Sequence, residues 1–229
     1  MVACFSSNLS TAHWAAVKRI LRYLHHTQHL RLRLGRGSDL AIGGVSRLSG
    51  NAPILVYADA DFAREVDGMR SMGGFIILDQ YGTIVHWKSQ RQKTVAKSTT
   101  DAEFNSTALT VEEALWLQKL QEELYGCERG CERECESERE SKSGSEQEEK
   151  PLVSVFNDNQ ACIAGLKNRQ FKPSTRHVGV KYFWLRELVR DGDVEISYVR
   201  TDEMVAEGLT KALERGKHPG FISMLSFST

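Results

Sequence analysis

The chain has 229 residues, 41% of them hydrophobic, with 30 Lys and Arg against 30 Asp and Glu. The apolar content argues against a wholly disordered protein, and the length allows one ordinary domain with additional segments or two small domains. The zero net charge argues against a strongly basic nucleic-acid binder, although an acidic excess in residues 126–150 leaves the remainder mildly basic.

The N-terminal 50 residues predict one helix and one strand. In residues 11–26 the apolar side chains Trp14, Val17, Leu21 and Leu24 recur at three- and four-residue steps, which predicts an amphipathic helix. The following sequence LRLRLGRGSD alternates Leu and Arg as an exposed strand does. At the N-terminus no positively charged region is followed by an apolar one, so we expect a protein that is not secreted.

A β-rich block follows. Residues 54–62, 72–78 and 83–87 each read as a strand, with a turn at 79–82, and together they predict an antiparallel meander. Asp59 and Asp61 fall on the same face of the first strand because side chains alternate along it. We expect Trp87, in the third strand, to lie in the core.

The pattern then becomes helical from Ser98 to about Leu124. Two capping boxes fit its start, one pairing Ser98 with Asp101 and the other pairing Thr100 with Glu103. The side chains expected on its buried stripe are Ala108, Leu109, Leu115, Trp116, Leu120 and Leu124. Residues 126–150 repeat Glu, Arg, Ser and Cys with few apolar side chains, so we expect a low-complexity, disordered insert.

The C-terminal part predicts a strand over 152–157, helices over about 159–168 and 175–191, a strand over 195–199 and a helix over about 202–213. The second of these helices should stop at Gly192. The mixture of strands and helices predicts an α/β fold, in which helices cover both faces of a sheet.

Three carboxylates occupy the places where sites form in open sheets. Asp59 lies in the first strand of the β-rich block, Glu103 in the first turn of the long helix, and Asp158 at the end of the next strand. A carboxylate cluster without His or Cys suits Mg²⁺ or Mn²⁺. Each acid also has a simpler explanation: Asp59 could be solvated at a loop edge, while Glu103 and Asp158 could cap helices.

Long, ordered motifs sharpen this interpretation. The segments YADADFA, RSMGGFIILDQYGTIVHWKSQRQKTVAKSTTDAEFNSTAL, VFNDNQACIAGLKN, STRHVGVKYFWLRELVRDGDVEISYVRT and VAEGLTKAL resemble the ribonuclease H domain of copia-type LTR retrotransposon Pol polyproteins. FSSNLSTAHWAAVKRILRYL is similar to the C-terminal end of their reverse transcriptase, its thumb or connection region.

The resemblance implies a ribonuclease H-like fold with a five-stranded mixed sheet of order 3-2-1-4-5, flanked by helices. It also implies a four-carboxylate site with two Mg²⁺ or Mn²⁺ ions that cuts the RNA strand of RNA–DNA hybrids. Asp59, Glu103 and Asp158 match the first three acids. Glu207 stands at the fourth position, where the family pattern AD-x-x-TK has Asp, and its longer side chain puts activity in doubt.

The same resemblance sets the expected organisation. We expect a reverse-transcriptase remnant over residues 1–52, the ribonuclease H-like domain over 53–213 and a tail over 214–229. The expected partners are an RNA–DNA hybrid and the reverse-transcriptase portion of the polyprotein, without a membrane. The expected location is the cytoplasm, in virus-like particles, and/or the nucleus. A catalytically weakened or inactive remnant that binds or tethers nucleic acid is the alternative.

Several polar side chains near the acids are candidates for holding the hybrid. Basic residues between the third strand and the long helix could bind phosphates, and amide side chains could contact base edges or 2′-hydroxyls. Each could equally be a solvated loop or turn residue, and the histidine could be a packing residue. These candidates are Lys88, Arg91, Gln92, Lys93, Asn159, Gln160 and His177.

Overall fold

A computed structural model describes residues 8, 10–32, 54–63, 69–79, 81–136, 153–167, 179–225 and 227–228, with only the backbone for 125–136 and 227–228. The helices are α1 (Thr11–Thr27), α2 (Thr99–Glu136), α3 (Gln160–Lys167), α4 (Gly179–Arg190), α5 (Glu207–Thr210) and α6 (His218–Met224). The strands are β1 (Arg31–Leu32), β2 (Ile54–Asp61), β3 (Met72–Asp79), β4 (Ile84–Arg91), β5 (Val153–Asn157), β6 (Val194–Tyr198) and β7 (Phe227–Ser228).

The central feature is a five-stranded mixed sheet of order β4-β3-β2-β5-β6. Strands β2, β3 and β4 pair antiparallel, as the meander prediction required, and β5 lies parallel to both β2 and β6. Numbered in chain order, these five strands run 3-2-1-4-5, the order that the resemblance implies. Strand β2 is central and almost entirely buried, since its side chains face covering elements on both sides of the sheet.

Helices α2, α3 and α4 cover one face of the sheet. Phe104 and Val111 of α2 and Leu185 of α4 pack there against Val56 and Phe75 in one buried cluster. An α/β fold with helices on the sheet is therefore confirmed. Removing this apolar surface from water stabilises the fold by about 25 cal/mol per Å².

The opposite face is covered by the C-terminal part of the chain. Tyr57 and Phe156 stack with ring centroids 4.9 Å apart, and Val205 packs in the same buried cluster. Phe221 and Met224 of α6 pack against this cluster, as does Leu32 of β1. The stretch expected to be a tail therefore contains structure, and β7 pairs antiparallel with β1. The predicted domain boundaries themselves stay predictions.

Helix α2 corrects the expected buried stripe, and its backbone extends into the predicted insert, whose disorder stays a prediction. Trp116 and Leu124 are 58% and 61% exposed and are not part of the buried stripe. Trp116 follows buried Val111 by five residues, about 140° around the helix, so it points away from the sheet. The helix also continues to Glu136, into the segment expected to be disordered, because Glu and Arg are good helix formers. Residues 137–150 lie outside the described residues.

The expected helix over 202–213 is wrong. A 3₁₀ turn covers Thr201–Glu203, Met204 is extended, and α5 spans only Glu207–Thr210. Met204, Val205 and Ala206 are all buried. Three consecutive residues cannot share the apolar stripe of one surface helix, so the chain lies flat against the sheet before α5 begins.

Two other local expectations had different outcomes. Trp87 is 58% exposed, so its placement in the core is wrong: β4 is an edge strand, and its outward side chains are only partly covered. Helix α4 ends shortly before Gly192, whose φ of 79° lies in the left-handed region that glycine tolerates, as predicted. In the described part of the chain, every helix is too short or too polar to span a lipid bilayer.

Candidate metal centre

Three separate elements bring three carboxylates together. Asp59 lies near the end of β2, Asp158 directly follows β5, and Glu103 lies near the start of α2. Because β2 and β5 are parallel neighbours, their carboxyl ends meet at one edge of the sheet. One oxygen from each of the three side chains lies within 4.8 Å of the others.

Asp59 is 1% exposed and is held at both its backbone and its side chain. Its backbone carbonyl accepts a hydrogen bond from Ser106 Oγ at 2.8 Å. Its Oδ2 accepts a hydrogen bond from Thr210 Oγ1 and lies 3.6 Å from Lys211 Nζ. Burial raises the pKa of Asp59 above its usual value, while Lys211 and Thr210 oppose that rise.

Glu103 is held between the two strands that carry the other acids. The backbone N–H of Ala60 donates to Oε1 at 3.3 Å, and Asn157 Nδ2 donates to Oε2 at 3.2 Å. Burial raises the pKa of Glu103 to about 8, and the charge of Asp59 adds to the rise. At neutral pH this side chain therefore favours its protonated form unless a cation is nearby.

The start of α2 leaves Glu103 available for this role. Asp101 N–H donates to Ser98 Oγ at 3.1 Å, and Lys97 N–H donates to Asp101 Oδ2 at 2.8 Å. Ser98 is therefore the N-cap, and the alternative box between Thr100 and Glu103 is wrong. Glu103 points into the sheet edge instead.

Asn157 joins all three elements, and the sequence interpretation missed it. It is fully buried, and its Nδ2 lies within hydrogen-bonding distance of Glu103 Oε2, Ala58 O and Thr107 Oγ1. Its Oδ1 accepts from Asn159 N–H at 2.7 Å. The local sequence shows only that a polar residue ends a buried strand directly before an acid, and asparagine is common at such strand ends and turns.

Asp158 is the most accessible of the three acids. Its Oδ2 accepts a hydrogen bond from Thr201 Oγ1 at 2.9 Å, which ties it to the segment after β6. Thr201 was also missed, because it lies 43 residues further along the chain in an irregular segment. The accessible Asp158 gives the cluster an open side, whereas Asp59 and Glu103 form its buried floor.

Glu207, the candidate for the fourth acid, does not belong to the group of three within 4.8 Å. It begins α5, and its Oε1 lies 3.7 Å from Lys211 Nζ. Lys211 therefore stands between Glu207 and Asp59. Burial lowers the pKa of Lys211, but Asp59 and Glu207 more than offset this, so the net shift is upward and the ammonium stays charged.

A close approach between β3 and α5 places these residues beside Asp59. A Cβ added at Gly74 would lie 2.8 Å from both Leu209 Cβ and Thr210 Cγ2, so only glycine allows this contact. Next to the acids, a cleft of about 360 Å³ is lined by Asp61, Phe62, Glu207, Lys211, Ala212, Leu213, Glu214 and Lys217.

The donor set fits a hard divalent cation. Three carboxylates converge without a His or Cys among them, which favours oxygen-preferring ions such as Mg²⁺ and Mn²⁺. Burial raises the pKa of both buried acids, the neighbouring carboxylates add to the rise, and a divalent cation would relieve that repulsion.

The candidates near β4 for holding the hybrid lie in different environments. Lys88 Nζ pairs with Glu113 Oε1 of α2 at 2.9 Å. Gln92 is nearly buried, and its Nε2 donates to Ala102 O at 2.8 Å, so it joins the end of β4 to α2. Arg91 and Lys93 are exposed. Arg91 and Lys93 are the most exposed members of this group, Lys88 is partly exposed, and Gln92 is the least accessible.

The remaining candidates lie near α3 or outside the described chain. Asn159 Oδ1 accepts from Cys162 N–H at 3.0 Å, so this side chain caps α3, the simpler of the two explanations. Gln160 is exposed at the first position of α3. His177 lies outside the described residues.

Comparisons with known proteins agree with the motifs. No family model matches the chain. It is 34% identical over 218 residues to the retrovirus-related Pol polyprotein from transposon TNT 1-94 of Nicotiana tabacum, covering 95% of this chain and 14% of that protein. It is 29% identical over 203 residues to the corresponding polyprotein from transposon RE2 of Arabidopsis thaliana, covering 89% of this chain and 12% of that protein.

The chain thus spans about one seventh of the length of these relatives or less. Among solved structures, the N-terminal RNase H domain of rv2228c from Mycobacterium tuberculosis matches with a TM-score of 0.45 and 10% identity. That match covers 73% of this chain and 96% of the other.

Proposed function

We propose that this chain carries a ribonuclease H activity within a polyprotein like the retrotransposon Pol polyproteins, to which it is similar over most of its length. The reaction is metal-dependent hydrolysis of the RNA strand of an RNA–DNA hybrid. The observation that carries the proposal is the convergence of Asp59, Glu103 and Asp158 within 4.8 Å at one edge of the five-stranded sheet.

In this proposal Asp59, Glu103 and Asp158 would hold one Mg²⁺ or Mn²⁺ ion, and Asp59 and Glu207 would be the acids available to a second. Such ions would supply an activated water and charge stabilisation for the departing 3′-oxygen of the phosphodiester. The products would carry a 5′-phosphate and a 3′-hydroxyl, as the resemblance implies.

The neighbouring side chains keep the acids in position. Asn157 and the N–H of Ala60 fix both oxygens of Glu103, Thr210 fixes Asp59, and Thr201 fixes Asp158. Such partners matter because productive site geometry is typically held within about 0.5 Å. Acids held in this way need little rearrangement when an ion binds.

The substrate would approach from the side where Asp158 is accessible. Arg91, the last residue of β4, and Lys93, in the segment that links β4 to α2, are exposed cations that could contact phosphates. The rest of the polyprotein, including its reverse transcriptase, would supply further grip on the hybrid, since this chain spans only a small part of its relatives.

A second candidate function is a nucleic-acid-binding domain without catalysis. The observation that favours it is the position of Glu207, which lies outside the group of three and pairs with Lys211. If Glu207 cannot reach a second ion, the fold could persist as a tether for template and primer.

The two functions are separated by incubating the full chain with a hybrid labelled in its RNA strand, in Mg²⁺ or Mn²⁺, with a DNA duplex as the comparison substrate. We expect cleavage of the RNA strand alone and a loss of about 100-fold or more in Asp158→Asn. Asp191→Asn, at a half-exposed site beside Arg190 at the end of α4, is the matched control and should cleave like the wild type. Cleavage that survives in Asp158→Asn would refute the proposed site, and binding without cleavage in every protein would favour the tether.

A further inference from the structure

Lys211 has no role in the function proposed above, yet its ammonium lies inside the candidate site. Nζ is 3.6 Å from Asp59 Oδ2 and 3.7 Å from Glu207 Oε1, and the side chain is 31% exposed. The charges of Asp158 and Asp61 act on it in addition, each raising its pKa. An ammonium is thus held by the two acids that the proposed function assigns to the second ion.

A divalent ion bound by Asp59 and Glu207 would need the carboxylate oxygens that Lys211 now contacts. A divalent ion and an ammonium that contact the same carboxylate oxygens repel each other strongly. The repulsion is strongest beside a buried carboxylate such as Asp59, because water screens the charges less there. Ion and ammonium therefore cannot share the position. Asp59, Glu103 and Asp158 converge without Lys211, so the first ion does not meet this obstacle.

Lys211 has room to leave. Its side chain lines the cleft of about 360 Å³, and the same cleft is lined by two further acids, Asp61 and Glu214. A lysine ammonium on its flexible four-carbon stem can exchange one carboxylate partner for another at small cost. The cleft therefore offers an alternative location for the ammonium once an ion arrives.

We propose that Lys211 occupies the second cation position of the metal-free site, so that ions bind in order: the first to Asp59, Glu103 and Asp158, and the second only when Lys211 moves into the cleft. This inference rests on the proposed metal site. Lys211 is then a positioning residue that sets the affinity for the second ion. Until that ion binds, Glu207 stays paired with the Lys211 ammonium.

The test counts Mn²⁺ ions bound to the full chain by calorimetry and by electron paramagnetic resonance, without substrate. In Lys211→Gln we expect the second Mn²⁺ to bind about tenfold tighter or more, because a like charge within 4–6 Å shifts a neighbouring equilibrium by at least that factor. Lys211→Arg keeps the charge and should behave like the wild type. Lys217→Gln removes an equal charge from an exposed position lining the same cleft and should also leave the second affinity unchanged.

An unchanged or weaker second affinity in Lys211→Gln would overturn the inference, because a lysine that merely orients Asp59 would weaken binding when removed. Circular dichroism of each variant separates this result from misfolding, and Lys211→Met provides a second neutral variant. The proposed metal site requires that the wild type binds Mn²⁺ and that Asp59→Asn loses this binding. If either result is absent, the metal site fails, and this inference fails with it.

Discussion

In the metal-free protein, Glu103→Gln should reduce the dependence of folding stability on pH between about 4.5 and 8. Burial raises the folded-state pKa of Glu103 to about 8, from a usual value of 4.5. Above pH 4.5 the unfolded chain releases this proton while the folded chain keeps it. Rising pH therefore favours unfolding, until the folded carboxyl ionises near pH 8.

The size of the effect follows from the same shift. Each pKa unit corresponds to about 1.4 kcal/mol, so the change from 4.5 to about 8 sets a ceiling of ~5 kcal/mol on the stability lost across this window. The pKa of Asp59 is raised as well and acts in the same direction. A typical domain is stable by about 5–15 kcal/mol, so the loss would be a substantial part of the total.

The variant has its own cost, which does not depend on pH. Gln presents one oxygen where Glu103 presents two, so either Ala60 N–H or Asn157 Nδ2 faces an amide N–H₂. A buried donor left unpaired costs about 1–3 kcal/mol. We therefore expect Glu103→Gln to be less stable than the wild type near pH 5, and the difference to shrink or reverse near pH 8.

Urea unfolding at pH 5, 6, 7 and 8 in the presence of a chelator measures the free energy of unfolding of the wild type and of Glu103→Gln at each pH. Glu112→Gln makes the same change at an exposed position on α2 and should keep the pH slope of the wild type. Adding Mg²⁺ at pH 8 should stabilise the wild type, by about 2.7 kcal/mol at a concentration of 100 Kd, and should stabilise Glu103→Gln much less. A flat wild-type profile, or the same slope in Glu103→Gln, would refute the account of the buried carboxyl.

Three further substitutions test how the C-terminal part holds the site. Gly74→Ala should destabilise the fold by about 1–3 kcal/mol and weaken Mn²⁺ binding, because its Cβ would push α5 away from β3; an unchanged urea midpoint would contradict this. Thr210→Val removes the hydroxyl donor to Asp59 and should cost about 1–2 kcal/mol, with Thr210→Ser restoring most of it in the same unfolding assay. Phe221→Ala should cost about 2 kcal/mol, because the ring packs directly on Gly208; full stability after this change would show that α6 is dispensable.

The three acids could be predicted because their signals are local. Asp59 follows an apolar run that is recognisable as a buried strand, Asp158 ends another, and Glu103 lies within a helix whose start is marked by Ser98. The pairing of β2 with β5 then follows from the strand order of the resemblance. Local pattern and motif together were enough to place these carboxylates at one edge of a sheet.

The partners of the acids could not be predicted, because their contacts join distant parts of the chain. Thr210 reaches Asp59 across 151 residues, and Asn157 reaches Glu103 across 54. Threonine and asparagine are common in turns and caps, so nothing in their local sequence marks them as site residues. Lys211 was visible only as part of a motif, and its ion pairs depend on where α5 packs.

The errors have physical reasons of the same kind. Trp87 has the composition of a core residue, but its exposure was decided by the edge position of β4, which no local pattern reveals. The segment around Val205 reads as a helix, yet burial of three consecutive residues forced it flat against the sheet. Tertiary packing overrode the local preference in both cases.

Anomalous diffraction from crystals of the full chain soaked in Mn²⁺ tests the metal site most directly. The proposed site predicts a manganese peak within coordination distance of Asp59, Glu103 and Asp158, and its loss in Asp158→Asn. A peak at other residues, or none at millimolar Mn²⁺ near pH 8, would contradict it.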